Sequence, residues 1–166
     1  MALYIDPGIN GGLAWIDDDG FARCKKMPEG MTEQADFIRS LLVACKIDRA
    51  VMEKTGTYQP GNSGPGAVTF ARHCGNLEMC LYMLGIPTEQ IAPSGWQKRL
   101  GVFSKEKATR KKEIKDLAQR AFPYLKVTLA VSDALGMMLS DQRAAKANRR
   151  PLEYTAKFRI GNTGDL

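Results

Sequence analysis

A chain of 166 residues, 44% hydrophobic and 25% charged, is one domain's worth of sequence, able to bury roughly 70% of the surface its unfolded form exposes. No stretch approaches the roughly 18 uninterrupted apolar residues of a membrane span, and Gly and Pro follow no period, which excludes integral-membrane, collagen-like and disordered classes. The net charge of +6 is localised: residues 97–126 hold ten basic and three acidic side chains, the rest of the chain 14 and 15. A polyanion-binding face accounts for that concentration, with a solvated helix face as the plain alternative.

The N-terminus has no basic stretch ahead of an apolar one, and an aspartate stands at position six, so a cytoplasmic location is expected. Residues 2–5 form a short apolar run ending at Asp6. Pro7-Gly8 and Asn10-Gly11-Gly12 then force a turn before a second strand over 13–16, and Asp17-Asp18-Asp19-Gly20 a turn before a third over 21–27. The chain therefore opens as a three-stranded meander. Thr32 is the expected cap of a helix with Phe37, Ile38, Leu41, Leu42 and Cys45 on one stripe. Residues 49–52 form the next strand, ending at Glu53. Four glycines and two prolines over 56–66 predict an irregular loop.

A helix over about 67–84 follows, ended by Gly85, then a short strand over 86–91. Ser94 and Ser104 are N-cap candidates for two further helices, the second carrying the basic cluster to about Ala121, where Pro123 stops it. Residues 126–131 read as extended, with Ser132 capping a last helix from Asp133 to about Lys146. The four cysteines form no C-x-x-C pair, and the single His73 adjoins Cys74. That spacing suits neither zinc nor a redox dithiol, so the thiols are read as small buried hydrophobes in a reducing compartment. A meander followed by alternating strands and helices predicts an α/β fold, a mixed five-stranded central sheet with helices on both faces. The domain spans 1–148, leaving 149–166 as a tail or edge strand.

Two carboxylates, Asp6 and Glu53, each end an apolar strand, and a third, Asp133, opens a helix after an apolar stretch. Carboxylates are seldom buried unpaired, and three converging ones call for cations. Oxygen-only ligands select a hard ion, Mg²⁺ or Mn²⁺. Beside a basic helix this suggests hydrolytic phosphoryl transfer, two ions activating water and stabilising the leaving oxygen. Taken singly, Asp6 also reads as a turn residue and Asp133 as a helix N-terminal charge.

At these residues the sequence resembles a known family. Leu3-Tyr4-Ile5-Asp6-Pro7-Gly8-Ile9-Asn10-Gly11-Gly12-Leu13-Ala14 is similar to the first motif of the RuvC Holliday junction resolvases. Val51-Met52-Glu53-Lys54 before the Gly-rich loop, Ala71-Arg72-x-x-Gly75, Leu84-Gly85-Ile86-Pro87 and Pro93-x-x-Trp96-Gln97-Lys98 resemble its phage-type branch, and Ser132-Asp133-Ala134-Leu135 its C-terminal acidic motif. The resemblance implies an RNase H-like fold and a homodimer that binds four-way DNA junctions. It also implies paired, metal-dependent nicking to 5′-phosphate and 3′-hydroxyl ends, with Asp6, Glu53 and Asp133 as metal ligands. Where the family commonly has another acid or a histidine, three positions before the last aspartate, this chain has Ala130. Asp141 lies eight residues further along the helix, roughly 12 Å from Asp133, too far to substitute.

Lys98, Arg99, Lys105, Lys107, Arg110, Lys111 and Lys112 suit phosphate contacts, which supply affinity but little sequence information. Tyr58 is a candidate for stacking on an unpaired base. Lys54 either faces phosphate or points outward, Phe70 is read as core ahead of contact, and Trp96 anchors the basic helix with an indole N–H that needs a partner. Met79, Met83, Met137 and Met138 suit core or dimer packing. Two alternatives stay open: an RNase H-like nuclease acting on hybrids or flaps, and a catalytically silent junction binder, which Ala130 favours.

Overall fold

A computed structural model describes residues 1–54 and 64–148. Five strands, β1 (Ala2–Asp6), β2 (Gly12–Ile16), β3 (Ala22–Lys26), β4 (Arg49–Glu53) and β5 (Thr88–Ile91), form one sheet in the order β3-β2-β1-β4-β5. The opening meander pairs antiparallel, whereas β4 joins β1, and β5 joins β4, in parallel. This is the mixed five-stranded sheet that the sequence predicts.

Strand alternation divides the core in two. Leu3 and Ile5 of β1 and Ala50 and Met52 of β4 face one cluster, covered by α1 (Met31–Ala44) and α2 (Gly64–Met83). Ala2, Tyr4 and Val51 face the other, covered by α3 (Pro93–Leu100), α4 (Lys107–Ala121) and α5 (Leu129–Asn148). Helices thus lie on both faces. Met137 and Met138 are core, while Met79 and Met83 are exposed. None of the four cysteines is disulfide-bonded, and no helix among the described residues is long and apolar enough to cross a membrane.

The helix starts differ from expectation at four serines and threonines. Gly30 and Ala92, not Thr32 and Ser94, are the N-caps of α1 and α3, neither with a side-chain cap bond. Pro93, already suited to a first helical position, sets the start of α3. At α4 the cap is Glu106, which accepts from the Thr109 N–H, while the Ser104 hydroxyl donates to Glu113 instead. The last helix starts at Leu129, so residues 129–131 are helical and not extended. Ser132 lies inside it, fully buried, donating to the Leu129 carbonyl (3.0 Å). An i−3 bond of this kind satisfies a buried serine within a helix, and tertiary packing overrides the strand preference of β-branched Val127, Thr128 and Val131. α2 likewise begins at Gly64, inside the stretch predicted as loop. The rest of that loop, with Tyr58, and the 149–166 segment lie outside the described residues.

Candidate active site

Strand parity explains why the acidic side chains meet. Asp6 follows Ala2 and Tyr4 on the α5 face of β1, and Glu53 follows Val51 on the same face of β4. Tyr4 registers with Val51 and Ile5 with Met52, so the next step sets Asp6 beside Glu53 on neighbouring strands, about 4.8 Å apart in the backbone. On the other side of Asp6 the paired residue is Gly12. A Cβ there would stand 2.7 Å from the Ala130 carbonyl oxygen and 3.0 Å from Val131, so the missing side chain lets the start of α5 approach β2. That approach brings Asp133, one turn beyond Ala130, near enough to Asp6 for its charge to act on it.

The far half of α5 is tied down separately. Asp141 accepts from the Tyr4 hydroxyl and the Arg49 guanidinium, both at 2.6 Å, so it is occupied elsewhere and contributes nothing to the acidic group. Two other elements reach that group. The indole N–H of Trp96, in α3, donates to Glu53 at 2.9 Å, which is the partner its sequence position calls for. Trp96 packs this closely because α5 has a glycine at 136, where a Cβ would lie 2.8 Å from the indole ring. From α4, the Lys111 ammonium stands 3.2 Å from Asp133.

The electrostatics follow from burial. Asp6 is pushed up to about 8, first by burial and then by the charges of Asp133 and Glu53. Glu53 is pushed up to about 7 by burial and Asp133, although the Trp96 bond opposes this. Burial works against the Lys111 ammonium, yet the three carboxylates together hold it above its ordinary value. Negative charge is therefore in surplus, and among the described residues the Asp6 carboxylate has neither hydrogen bond nor ion pair. In charge and donor chemistry the trio fits a hard divalent cation. As they stand, no three acidic, His or Cys side chains among the described residues enclose a single cation position, and Lys111 supplies the nearest positive charge.

The predicted phosphate-binding residues lie around this group. Lys98 and Arg99 occupy the last turn of α3, Lys105 the following loop, and Lys107 and Lys112 the start of α4, all five exposed. Half-buried Arg110 and exposed Lys107 act electrostatically on Glu53 and Asp6 respectively. Lys111, expected among the phosphate contacts, is instead paired with Asp133. Lys54 is exposed, its backbone N–H bonded to the Ile91 carbonyl (2.8 Å). Phe70 is half-buried, its ring closing on Gly8 just after Asp6. Sequence reasoning misses Phe103, the exposed apolar side chain of the α3–α4 loop; its place inside the basic run is the one signal that marks it.

No family model and no curated protein matches this sequence. Solved structures do. Thermus thermophilus RuvC in complex with a Holliday junction substrate is 18% identical, with 88% of this chain and 95% of that chain covered at a TM-score of 0.55. The structure of Thermus thermophilus RuvC on its own gives 20% identity, 89% and 96% coverage and a TM-score of 0.54. Sheet order, the helices on both faces and this match over nearly the whole of each chain establish that the protein has the RNase H-like fold of RuvC.

Proposed function

We propose that this chain is a divalent-metal-dependent endonuclease that resolves four-way and other branched DNA junctions, leaving 5′-phosphate and 3′-hydroxyl ends. One observation carries the reading: on the fold of RuvC, Asp6, Glu53 and Asp133 meet at one end of the sheet, beside the exposed basic start of α4 and end of α3. Bound there, Mg²⁺ or Mn²⁺ would supply an activated water and stabilisation of the leaving oxygen. Asp6, Glu53 and Asp133 would hold the metal, and Trp96 fixes the Glu53 carboxylate through its indole N–H. Lys111 pairs with Asp133 at 3.2 Å. Lys98, Arg99, Lys105, Lys107 and Lys112 hold the phosphate backbone.

The test is a labelled synthetic four-way junction beside linear duplex of the same length, in Mg²⁺, Mn²⁺ and EDTA. Paired nicks confined to the junction and absent in EDTA are expected. Tight junction binding without cleavage in any metal favours the second reading, a silent junction binder, which Ala130 supports because it leaves the acidic set at three. Cleavage of hybrids or flaps in preference to junctions favours the RNase H-like alternative. Membership of the phage-type branch, with action in a host cytoplasm, rests on the motif resemblance.

The proposed homodimer has a physical candidate for its interface in α2, whose outer face exposes Val68 (60%), Met79 (60%), Tyr82 (77%) and Met83 (73%). In an antiparallel crossing of two copies about Gly75, Val68 meets Tyr82 of the second copy, Ala71 meets Met79, and Arg72 meets Glu78, opposite in charge. Such a two-fold contact places two sites on a two-fold substrate. Met79→Glu puts a charge in the middle of it twice over and is expected to weaken self-association by about a hundredfold or more. Sedimentation velocity reads the loss of dimer, and paired nicks should separate into single ones.

A further inference from the structure

The loop joining α3 to α4, residues 101–106, is held at both ends. Gly101, at φ +78°, closes α3, and the Val102 N–H donates to the Gln97 carbonyl at 3.0 Å. Val102 itself is buried in the core. On the other side the Ser104 hydroxyl donates to Glu113, and the Arg110 guanidinium donates to the carbonyls of Ser104 (3.1 Å) and Lys105 (3.2 Å). Between these anchors Phe103 stands 71% exposed. A lone apolar side chain on a surface is ordinary, but this one stands on a backbone held on both sides.

Its surroundings add a direction. Exposed Lys98 and Arg99 precede it and exposed Lys105 and Lys107 follow. The helices it joins are the two that touch the acidic group, α3 through Trp96 on Glu53 and α4 through Lys111 on Asp133. Lys107, whose charge acts on Asp6, lies four positions after Phe103. The backbone distance between them is therefore at most about 14 Å, or about four base steps at 3.4 Å. Lysines and arginines grip phosphate whether DNA is branched or linear. An aromatic face gains only where a base has a free face, as at a branch point, because stacking needs no particular base but does need an unstacked one.

We propose that Phe103 stacks on an unpaired or unstacked nucleobase at the branch point, and so contributes to the choice of branched over linear DNA. The proposal rests on the nuclease reading above and deepens it. Phe103→Ala and Phe103→Trp are compared with the unchanged protein for binding to a synthetic four-way junction and to linear duplex, in EDTA. The alanine variant is expected to lose about fivefold to a hundredfold in junction affinity, with duplex affinity unchanged within about twofold. The tryptophan variant keeps its junction affinity, and its emission above the Trp15 and Trp96 background is quenched by junction and not by duplex. The inference is overturned if Phe103→Ala binds junction like the unchanged protein, if it weakens both DNAs equally, or if the added tryptophan stays unquenched. The last measurement decides the matter should the alanine variant fold poorly. An unchanged protein with no preference for junctions overturns the nuclease reading and this inference together, whereas a preference that survives Phe103→Ala overturns the inference alone.

Discussion

Glu53→Gln is expected to abolish junction cleavage while leaving junction binding intact. Glutamine keeps the length of the side chain and an oxygen that still accepts from Trp96, whose N–H lies 2.9 Å from Glu53, so the α3 contact survives and only the charge is removed. A metal ligand supplies several kcal/mol of transition-state stabilisation, which at 1.36 kcal/mol per decade is a loss of about a thousandfold or more. Binding depends on the lysines and arginines of α3 and α4, which the substitution does not touch. Removing a negative charge beside them tightens the grip on phosphate, if it changes it at all. Single-turnover cleavage in Mg²⁺ and fluorescence anisotropy in EDTA separate the two quantities. Cleavage within about tenfold of the unchanged protein excludes Glu53 from the chemistry, and a parallel loss of binding makes its role structural.

The convergence of Asp6 and Glu53 is legible in the sequence because it depends only on period two. Both residues extend the parity of inward-facing neighbours, Tyr4 and Val51, and both end parallel strands. The third member is legible as a residue but not as a place. Spacing makes Asp133 the first residue of a helix that in fact begins at Leu129, because Ser132 has the chemistry of a cap and only packing shows that its hydroxyl is satisfied from within. The same limit applies at Thr32, Ser94 and Ser104: a hydroxyl near a helix start can accept from the first turn or bond elsewhere, as Ser104 does to Glu113, and sequence does not say which the fold selects. Gly12 and Gly136 carry no signal either. Their value lies in what would collide with a side chain there, the Ala130 carbonyl in one case and the Trp96 ring in the other, and these are neighbours made by the fold. Charge clustering locates the basic helix, but not the fact that Lys111 turns inward to Asp133 while its neighbours Lys107 and Lys112 remain exposed.

In EDTA the protein is expected to lose stability as pH rises from 5.5 to 8.5, the reverse of ordinary acid denaturation. Asp6 is raised in the folded state from 3.8 to about 8, and Glu53 from 4.5 to about 7. The folded form thus holds protons that the unfolded chain has already released, and stability falls wherever the folded state binds more protons. The favourable contribution is complete below about pH 4 and gone above about pH 8. Asp17 and Asp48 are lowered by their cationic partners. Their stabilisation is present above the ordinary aspartate range and is lost only in acid, below this window. His73, lowered by burial, favours the folded state increasingly as pH rises toward 6.5 and levels off above it, so it opposes the trend only in the lower part of the window. Asp6→Asn isolates the aspartate: relative to the parent, the variant should gain roughly 3 kcal/mol of stability between pH 5.5 and pH 8.5. For a chain of this length that is about 10 °C. Mg²⁺ should recover much of the difference at pH 8.5 in the unchanged protein and little in Asp6→Asn, since an ion that binds only the folded acidic group stabilises it by mass action. Calorimetry across the pH series reads all of this directly. A melting temperature that rises with pH in both proteins, with the variant below the parent throughout, means that the Asp6 charge is already compensated in the fold and has no need of a cation.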